Sequence, residues 1–150
     1  MSTKLEETVA ELARDLQEKP SKVSVVESHS GLAKLHTLGT KLWLDTGNLE
    51  EASKLWRTEM SALTTNNTLA NQVVQTGIMD DEIKTAVQKI RKVEPNISEE
   101  ELIMEVVFVV NCQIALRLVH AFDAFVSVEL HPAVSNDLEK TLPTSVPPSS

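Results

Sequence analysis

The chain has 150 residues, of which 41% are hydrophobic and 24% charged, and this predicts one globular domain rather than a disordered segment. A net charge of −8 and an aromatic content of 3% argue against binding to a phosphate backbone and against stacking on single-stranded nucleic acid. With a single cysteine, no apolar leader and no uninterrupted apolar run near about 18 residues, the sequence predicts a cytoplasmic protein without a disulfide or a membrane span.

The first 19 residues have the pattern of an amphipathic helix, which Pro20 is expected to end. Leu5, Val9 and Leu12 follow one another at helical spacing and form an apolar stripe. The stripe is expected to pack on the core, although a partner-binding helix would show the same pattern. Residues 21–30 are polar and β-branched and are predicted to form a linker or an edge strand, so residues 1–30 are predicted to be an N-terminal helix and linker.

Alternating helices and strands follow. A short helix is predicted over Leu32 to Leu38, and Gly39 is a natural residue to end it. Strands are predicted at Lys41 to Asp45 and at Met60 to Thr64, with a helix between them over Leu49 to Arg57. The polar loop over 64–68 offers threonine or asparagine as the N-cap of the next helix.

The second half of the chain is predicted to be mostly helical. Helices are expected over 69–76 and 80–92, separated by Gly77. Ser98 and Glu101 match a capping box that begins a long helix reaching about His120. The β-branched segment 106–110 would also suit a buried strand, but the cap and the length favour a helix. A last strand over 124–130 completes an alternation that predicts a parallel sheet.

Two of the predicted strands end on a carboxylate. Asp45 ends the first strand and Glu129 lies at the end of the last. The carboxyl ends of parallel strands lie at one edge, so the pair could perform acid/base chemistry there, although a helix cap or a surface residue would look the same. The four histidines and Cys112 show no metal-ligand spacing, and Cys112 is expected to be an inert core residue. No metal site and no glycine-rich phosphate loop are predicted.

Three segments resemble the transaldolase family. Residues 43–48 (Trp-Leu-Asp-Thr-Gly-Asn) are similar to the first strand of that family, and residues 64–66 (Thr-Thr-Asn) are similar to its motif after the second strand. Residues 126–135 (Val-Ser-Val-Glu-Leu-His-Pro-Ala-Val-Ser) resemble the third-strand signature. The order and spacing agree, and the lead-in over 32–39 resembles the larger, bacterial-type transaldolases.

The resemblance implies an α/β fold built as an incomplete (β/α)₈ TIM barrel. The chain would hold about the first three strands with their connecting helices and an N-terminal helical extension. Residues 31–141 would form this partial barrel, and the Pro/Ser-rich residues 142–150 are expected to be a disordered tail. Transaldolases transfer a dihydroxyacetone unit between sugar phosphates in the pentose phosphate pathway. They use a lysine Schiff base and no metal or organic cofactor.

The resemblance also assigns roles to four residues. Asp45 would be the acid/base that acts on the substrate hydroxyl, and Glu129 would assist proton transfers through a water molecule. Thr64 and Asn66 would bind substrate hydroxyl groups.

The sequence departs from the family pattern in three ways. Asn67 stands where proline is usual and His131 where an acid is common. The Schiff-base lysine of the family follows on the strand after Glu129, and no residue here matches it, Lys140 included. The chain is therefore expected to be inactive alone and to need a complementary C-terminal half, or to self-associate. A non-catalytic remnant acting as a binding or assembly module is the alternative, and an unrelated helical adaptor is a third possibility.

Overall fold

A computed structural model describes residues 3–24 and 26–129 of the chain. These residues form six helices and three strands. In chain order the elements are α1 (Thr3–Arg14), α2 (Ser30–Thr37), β1 (Leu42–Asp45), α3 (Leu49–Leu55), β2 (Met60–Thr65), α4 (Asn67–Gln75), α5 (Asp80–Val93), α6 (Glu99–Phe122) and β3 (Phe125–Val128).

The three strands form one parallel sheet in the order β1-β2-β3. Consecutive strands are neighbours, and helices connect them, as in successive β/α units. The predicted parallel sheet is therefore confirmed. The arrangement is that of a partial α/β barrel of the TIM type, with an N-terminal helical extension.

The two faces of the sheet have different surroundings. Leu44, Leu63 and Val126 lie side by side across the three strands and pack toward α3 and α6. Side chains alternate along a strand, so the flanking residues face the other way. On that other side Trp43 is 57% exposed and Phe125 is 86% exposed. We call this side the open face; it corresponds to the interior of a complete barrel.

Two separate clusters of buried residues form the core. The first, called the helical cluster, joins α1, α4, α5 and α6 and includes Val9, Val73, Ile90 and Val109. The second, called the sheet cluster, lies between the sheet and its covering helices and consists of Ala52, Trp56, Leu63 and Leu118. The rings of Trp56 and Phe122 pack with their centroids 5.0 Å apart in this second cluster.

Helix α1 has the predicted buried stripe of Leu5, Val9 and Leu12, and it packs on the core. Its predicted extent to residue 19 is wrong, because the helix ends at Arg14 rather than at Pro20. The side chain of Gln113 in α6 donates from Nε2 to the carbonyl oxygens of Leu12 at 3.0 Å and of Asp15 at 3.3 Å. Carbonyl groups at the end of a helix lack intrahelical partners, and here a distant side chain supplies one.

Helix α6 begins with the predicted capping box. The backbone N–H of Glu101 donates to Ser98 Oγ at 3.2 Å, and the Ser98 N–H donates back to the Glu101 carboxylate at 3.3 Å. The helix continues for 24 residues, which excludes the alternative of a strand over 106–110.

By length and apolar composition alone, α6 is the one helix in the described part of the chain that could cross a membrane. Half of its apolar window is buried inside the protein, and its residues belong to both buried clusters. This is the pattern of a core helix.

Several local predictions concern the ends of elements. Gly39 follows the C-cap of α2 with a φ of 86°, a left-handed conformation that suits glycine. Asn66 is the N-cap of α4, which begins at Asn67 and so two residues earlier than predicted. Strand β3 ends at Val128. Leu130, His131, Lys140 and the predicted tail over 142–150 lie outside the described residues, and the proposed domain boundaries stay predictions.

Candidate functional site

The carboxyl ends of the three strands bring the predicted site residues to one edge of the sheet. Asp45, the last residue of β1, is paired with Thr64 of β2, and Thr64 is paired with Ser127 of β3. Since Leu44, Leu63 and Val126 face the helices, this next row of residues faces the open side. Glu129 follows directly after β3 and is exposed. We call Asp45, Thr64, Asn66 and Glu129 the rim residues.

The rim is wide enough to hold a ligand between its two carboxylates. Neighbouring strands lie about 4.8 Å apart, so β1 and β3 are separated by about 10 Å. Asp45 and Glu129 therefore lie at the ends of strands that are not neighbours, and β2 with Thr64 lies between them. The arrangement suits two carboxylates that act on different parts of one substrate.

The polar groups of the rim are available to a ligand. Within residues 3–24 and 26–129, the side chains of Asp45, Thr64 and Glu129 have no hydrogen-bond or ion-pair partner. Asn66 differs, because its Oδ1 accepts the backbone N–H of Leu69 at 3.0 Å as the N-cap of α4. The amide Nδ2 of Asn66 can still donate a hydrogen bond to a ligand.

The loop that follows Asp45 is held by its own hydrogen bonds. The buried hydroxyl of Thr46 donates to Glu51 Oε2 at 2.8 Å and accepts the N–H of Asn48 at 3.1 Å. Asn48 in turn caps α3 by accepting the N–H of Glu51 at 3.0 Å. The N–H of Thr46 also donates to the Thr64 carbonyl at 3.0 Å, which ties the loop to β2. These hydrogen bonds hold the backbone that directly follows Asp45 in a fixed path from the end of β1.

Gly47 allows this loop to lie close against β2 and α4. A Cβ atom at this position would lie 3.2 Å from Thr65 Oγ1 and 3.3 Å from Val73 Cγ2. Both neighbours are buried, so neither can move away easily. A side chain at this position would require these neighbours to shift by a few tenths of an ångström, so glycine suits the close packing of the loop against β2 and α4.

The rim itself is an open edge rather than an enclosed pocket. A polar crevice of about 320 Å³ lies beside it, between the β1–α3 loop and α4, and Asn48, Glu51 and Gln72 are among its lining residues. None of the four rim residues lines this crevice. No group of three or more metal-binding side chains occurs in the described part of the chain.

A buried carboxylate at the opposite end of the sheet has a structural role. Glu59 precedes β2, is 8% exposed, and accepts hydrogen bonds from the hydroxyl of Ser28 and from the backbone N–H of His29. The Ser28 hydroxyl, with a smaller contribution from the His29 N–H, lowers the pKa of the Glu59 carboxyl below its ordinary value. These bonds attach the segment before α2 to the amino end of the sheet, far from the rim.

Two residues that bear on the candidate site were not identified from the sequence. Ser127 lies in the same row as Asp45 and Thr64, and its spacing of two residues from Glu129 could have indicated this. Asn111 in α6 donates from Nδ2 to Oδ1 of Asn67 at 2.9 Å. No local pattern predicts a contact between residues 44 positions apart.

Comparison with known proteins adds one match. A model of the transaldolase/fructose-6-phosphate aldolase family matches residues 42–145. The match begins at the first residue of β1 and includes all four rim residues. No curated protein sequence matches the chain significantly.

Proposed function

The chain belongs to the transaldolase/fructose-6-phosphate aldolase family, and from this membership we propose that it supplies the proton-transferring and hydroxyl-binding side of a transaldolase active site. The reaction would transfer a dihydroxyacetone unit between sugar phosphates through a Schiff base, in the cytoplasmic pentose phosphate pathway. The observation that carries the proposal is the alignment of Asp45, Thr64 and Ser127 in one row of the open face, with Glu129 directly beyond it.

The proposed chemistry divides between an amine and the rim. An amine condenses with the ketose carbonyl and loses water, and the resulting iminium accepts the electron pair of the carbon–carbon bond that breaks. Asp45 takes the proton from the adjacent substrate hydroxyl as the aldehyde leaves. Glu129 moves protons through a water molecule while the Schiff base forms and hydrolyses. Thr64 and Asn66 hold substrate hydroxyl groups, and these steps call for no metal or organic cofactor.

The amine is proposed to come from outside the described residues. Within these residues every lysine lies on a helix, in the segment before α2 or, for Lys41, at the amino end of β1, so none is at the rim. The chain alone would therefore bind a sugar phosphate weakly and would not turn it over. A complementary half of the barrel would supply the Schiff-base lysine.

The open face supports the association that this proposal requires. In a complete barrel the residues of this face would be packed in its interior. Here Trp43 and Phe125 are largely exposed in the same row of this face, on either side of Ala62 of β2. Parallel sheets are ordinarily covered on both sides. The same observation favours the second candidate function, an assembly module that binds a partner without catalysis.

Borohydride trapping with fructose 6-phosphate tests the proposal. Reduction fixes a Schiff base covalently, so mass spectrometry reports which polypeptide carries the amine. We expect no labelling of the chain alone and labelling of the complementary half of a transaldolase barrel once the two are mixed. Labelling of the chain alone would show that the nucleophile is present in it.

Isosteric variants separate the two candidate functions. Asp45→Asn and Glu129→Gln keep the shape of the rim but remove its proton transfer. Both should associate with the complementary half as the unmodified chain does, and both should lose at least about 100-fold in turnover. Association without turnover in the unmodified pair would instead favour the assembly module.

A further inference from the structure

A hydrogen bond between two asparagine side chains connects the rim to α6, and the proposed chemistry does not use it. Asn111 Nδ2 donates to Asn67 Oδ1 over 2.9 Å, and both residues are partly buried. Asn67 is the first residue of α4 and directly follows the rim residue Asn66. Asn111 lies near the middle of α6, between residues of the helical cluster. The bond therefore joins the partly buried start of α4 to α6, the helix with the most buried residues in the described part of the chain.

The orientation of Asn66 depends on the first turn of α4. Its Oδ1 is occupied by the N–H of Leu69, so the direction of its remaining Nδ2 follows from how that turn is placed. The first residues of a helix lack intrahelical partners for their N–H groups and fray readily. A side-chain bond to a rigid neighbouring helix restrains the turn against fraying.

We propose that Asn111 is a positioning residue that holds the start of α4, and with it Asn66, at a fixed place relative to β3 and Glu129. The same helix that carries Asn111 leads directly into β3. Helix α6 thus sets where the carboxyl end of β2 lies relative to the carboxyl end of β3. The inference rests on the proposed function only where it takes Asn66 to be a sugar ligand.

The backbone around Asn67 provides a specific rescue test. Asn66 has φ −138° and ψ 173°, an extended conformation that the residue before a proline can adopt. Proline is well suited to the first position of a helix, because it fixes φ and lacks only an N–H that has no helical partner. Asn67→Pro should therefore restrain the turn covalently and make the bond to Asn111 unnecessary.

The experiment uses the full 150-residue chain in four forms: unmodified, Asn111→Leu, Asn67→Pro and the double variant. Hydrogen exchange of the Leu69 amide measures how often the first turn opens, and an NMR titration with fructose 6-phosphate gives the apparent Kd. We expect Asn111→Leu to increase both by about 2- to 10-fold, the range for one hydrogen bond. Asn67→Pro and the double variant should stay within about twofold of the unmodified chain.

The rescue separates positioning from packing. A proline at position 67 cannot replace contacts that leucine disturbs inside α6, so a purely structural effect of Asn111→Leu would persist in the double variant. Persistence of the effect, or unchanged exchange of the Leu69 amide in Asn111→Leu, would overturn the proposal. If that variant fails to fold, Asn67→Ala removes the acceptor from the outer partner and gives the same exchange test. Thr68→Ala, one exposed residue further along α4, is the matched control.

The titration and the amide exchange also distinguish this inference from the proposed function. If the unmodified chain shows no titration with fructose 6-phosphate, the sugar-binding role of the rim fails. Exchange of the Leu69 amide needs no ligand, and it still decides whether Asn111 restrains the turn.

Discussion

Replacing apolar side chains on opposite faces of the sheet should lower the stability of the protein by very different amounts. Phe125 and Leu63 lie on adjacent strands, and Phe125 is 86% exposed whereas Leu63 is 0% exposed. Both can be changed to threonine, which suits a β-strand, so that strand propensity contributes little to the difference. The comparison tests whether one face of the sheet is truly uncovered.

The expected magnitudes follow from the contacts that each side chain makes. Removing a fully buried phenylalanine side chain costs about 3–5 kcal/mol of stability. Only about a seventh of Phe125 is buried, so Phe125→Thr should cost about a seventh of that, or about 0.4–0.7 kcal/mol. Leu63→Thr removes a fully buried leucine and places a hydroxyl in the sheet cluster, at a cost of at least about 3 kcal/mol. The two variants should therefore differ by more than about 2 kcal/mol.

Urea denaturation followed by circular dichroism measures both free energies of unfolding. Sedimentation velocity on the same samples reports self-association, which Phe125→Thr should weaken because it removes apolar surface from the open face. Destabilisation of similar size in the two variants would refute the reasoning. It would mean that the chain itself covers the face that we describe as open.

Three further outcomes are expected within α6. Burial, with smaller contributions from Glu101 and Glu6, raises the pKa of the Glu105 carboxyl above its ordinary value. The free energy of unfolding should therefore fall as the pH rises from 4.5 through the raised pKa. Glu105→Gln should remove this pH dependence. It should also raise the free energy of unfolding at pH 7 by about 0.2–0.5 kcal/mol, because it relieves the repulsion from Glu101. Urea titrations at several pH values measure both effects. Burial also raises the pKa of the Cys112 thiol to about 11. At pH 8 the thiol of the folded protein should therefore react with Ellman's reagent about 100-fold more slowly than the thiol of the protein unfolded in urea. Equal rates in the two states would contradict the burial of Cys112. Ser98→Ala removes the N-cap of α6 and should cost about 1 kcal/mol, or about 2–4 °C in Tm by calorimetry, with Ser98→Thr as the control that keeps the cap.

Local chemistry explains which features could be predicted from the sequence. The start of α6 depends on residues within three positions of one another, and the end of α2 depends on the backbone freedom of Gly39; both predictions are confirmed. The parallel sheet followed from alternating elements, which is also a local pattern. The end of α1 was missed because Gln113, about a hundred positions away, supplies its hydrogen bonds.

The candidate site likewise has features that local sequence predicts and features that depend on distant contacts. The short apolar run that ends on Asp45 predicted that this residue would lie at the carboxyl end of β1, and the register places it opposite Thr64. The support behind the rim could not be predicted in this way. The contact of Gly47 with Val73 and the bond between Asn67 and Asn111 depend on how α4 and α6 pack, and packing is a property of the folded chain.

The division of the core into two clusters has a consequence for how the protein tolerates sequence change. Within the described residues, α6 is the element that both clusters share: Val109 belongs to the helical cluster and Leu118 to the sheet cluster. Substitutions far apart in different clusters should add independently. Helices α1 and α5 can therefore diverge without disturbing the strands, and the strands can diverge without disturbing these two helices. Helix α6 must pack in both clusters at once, which makes it the least free to change among the elements of the described residues.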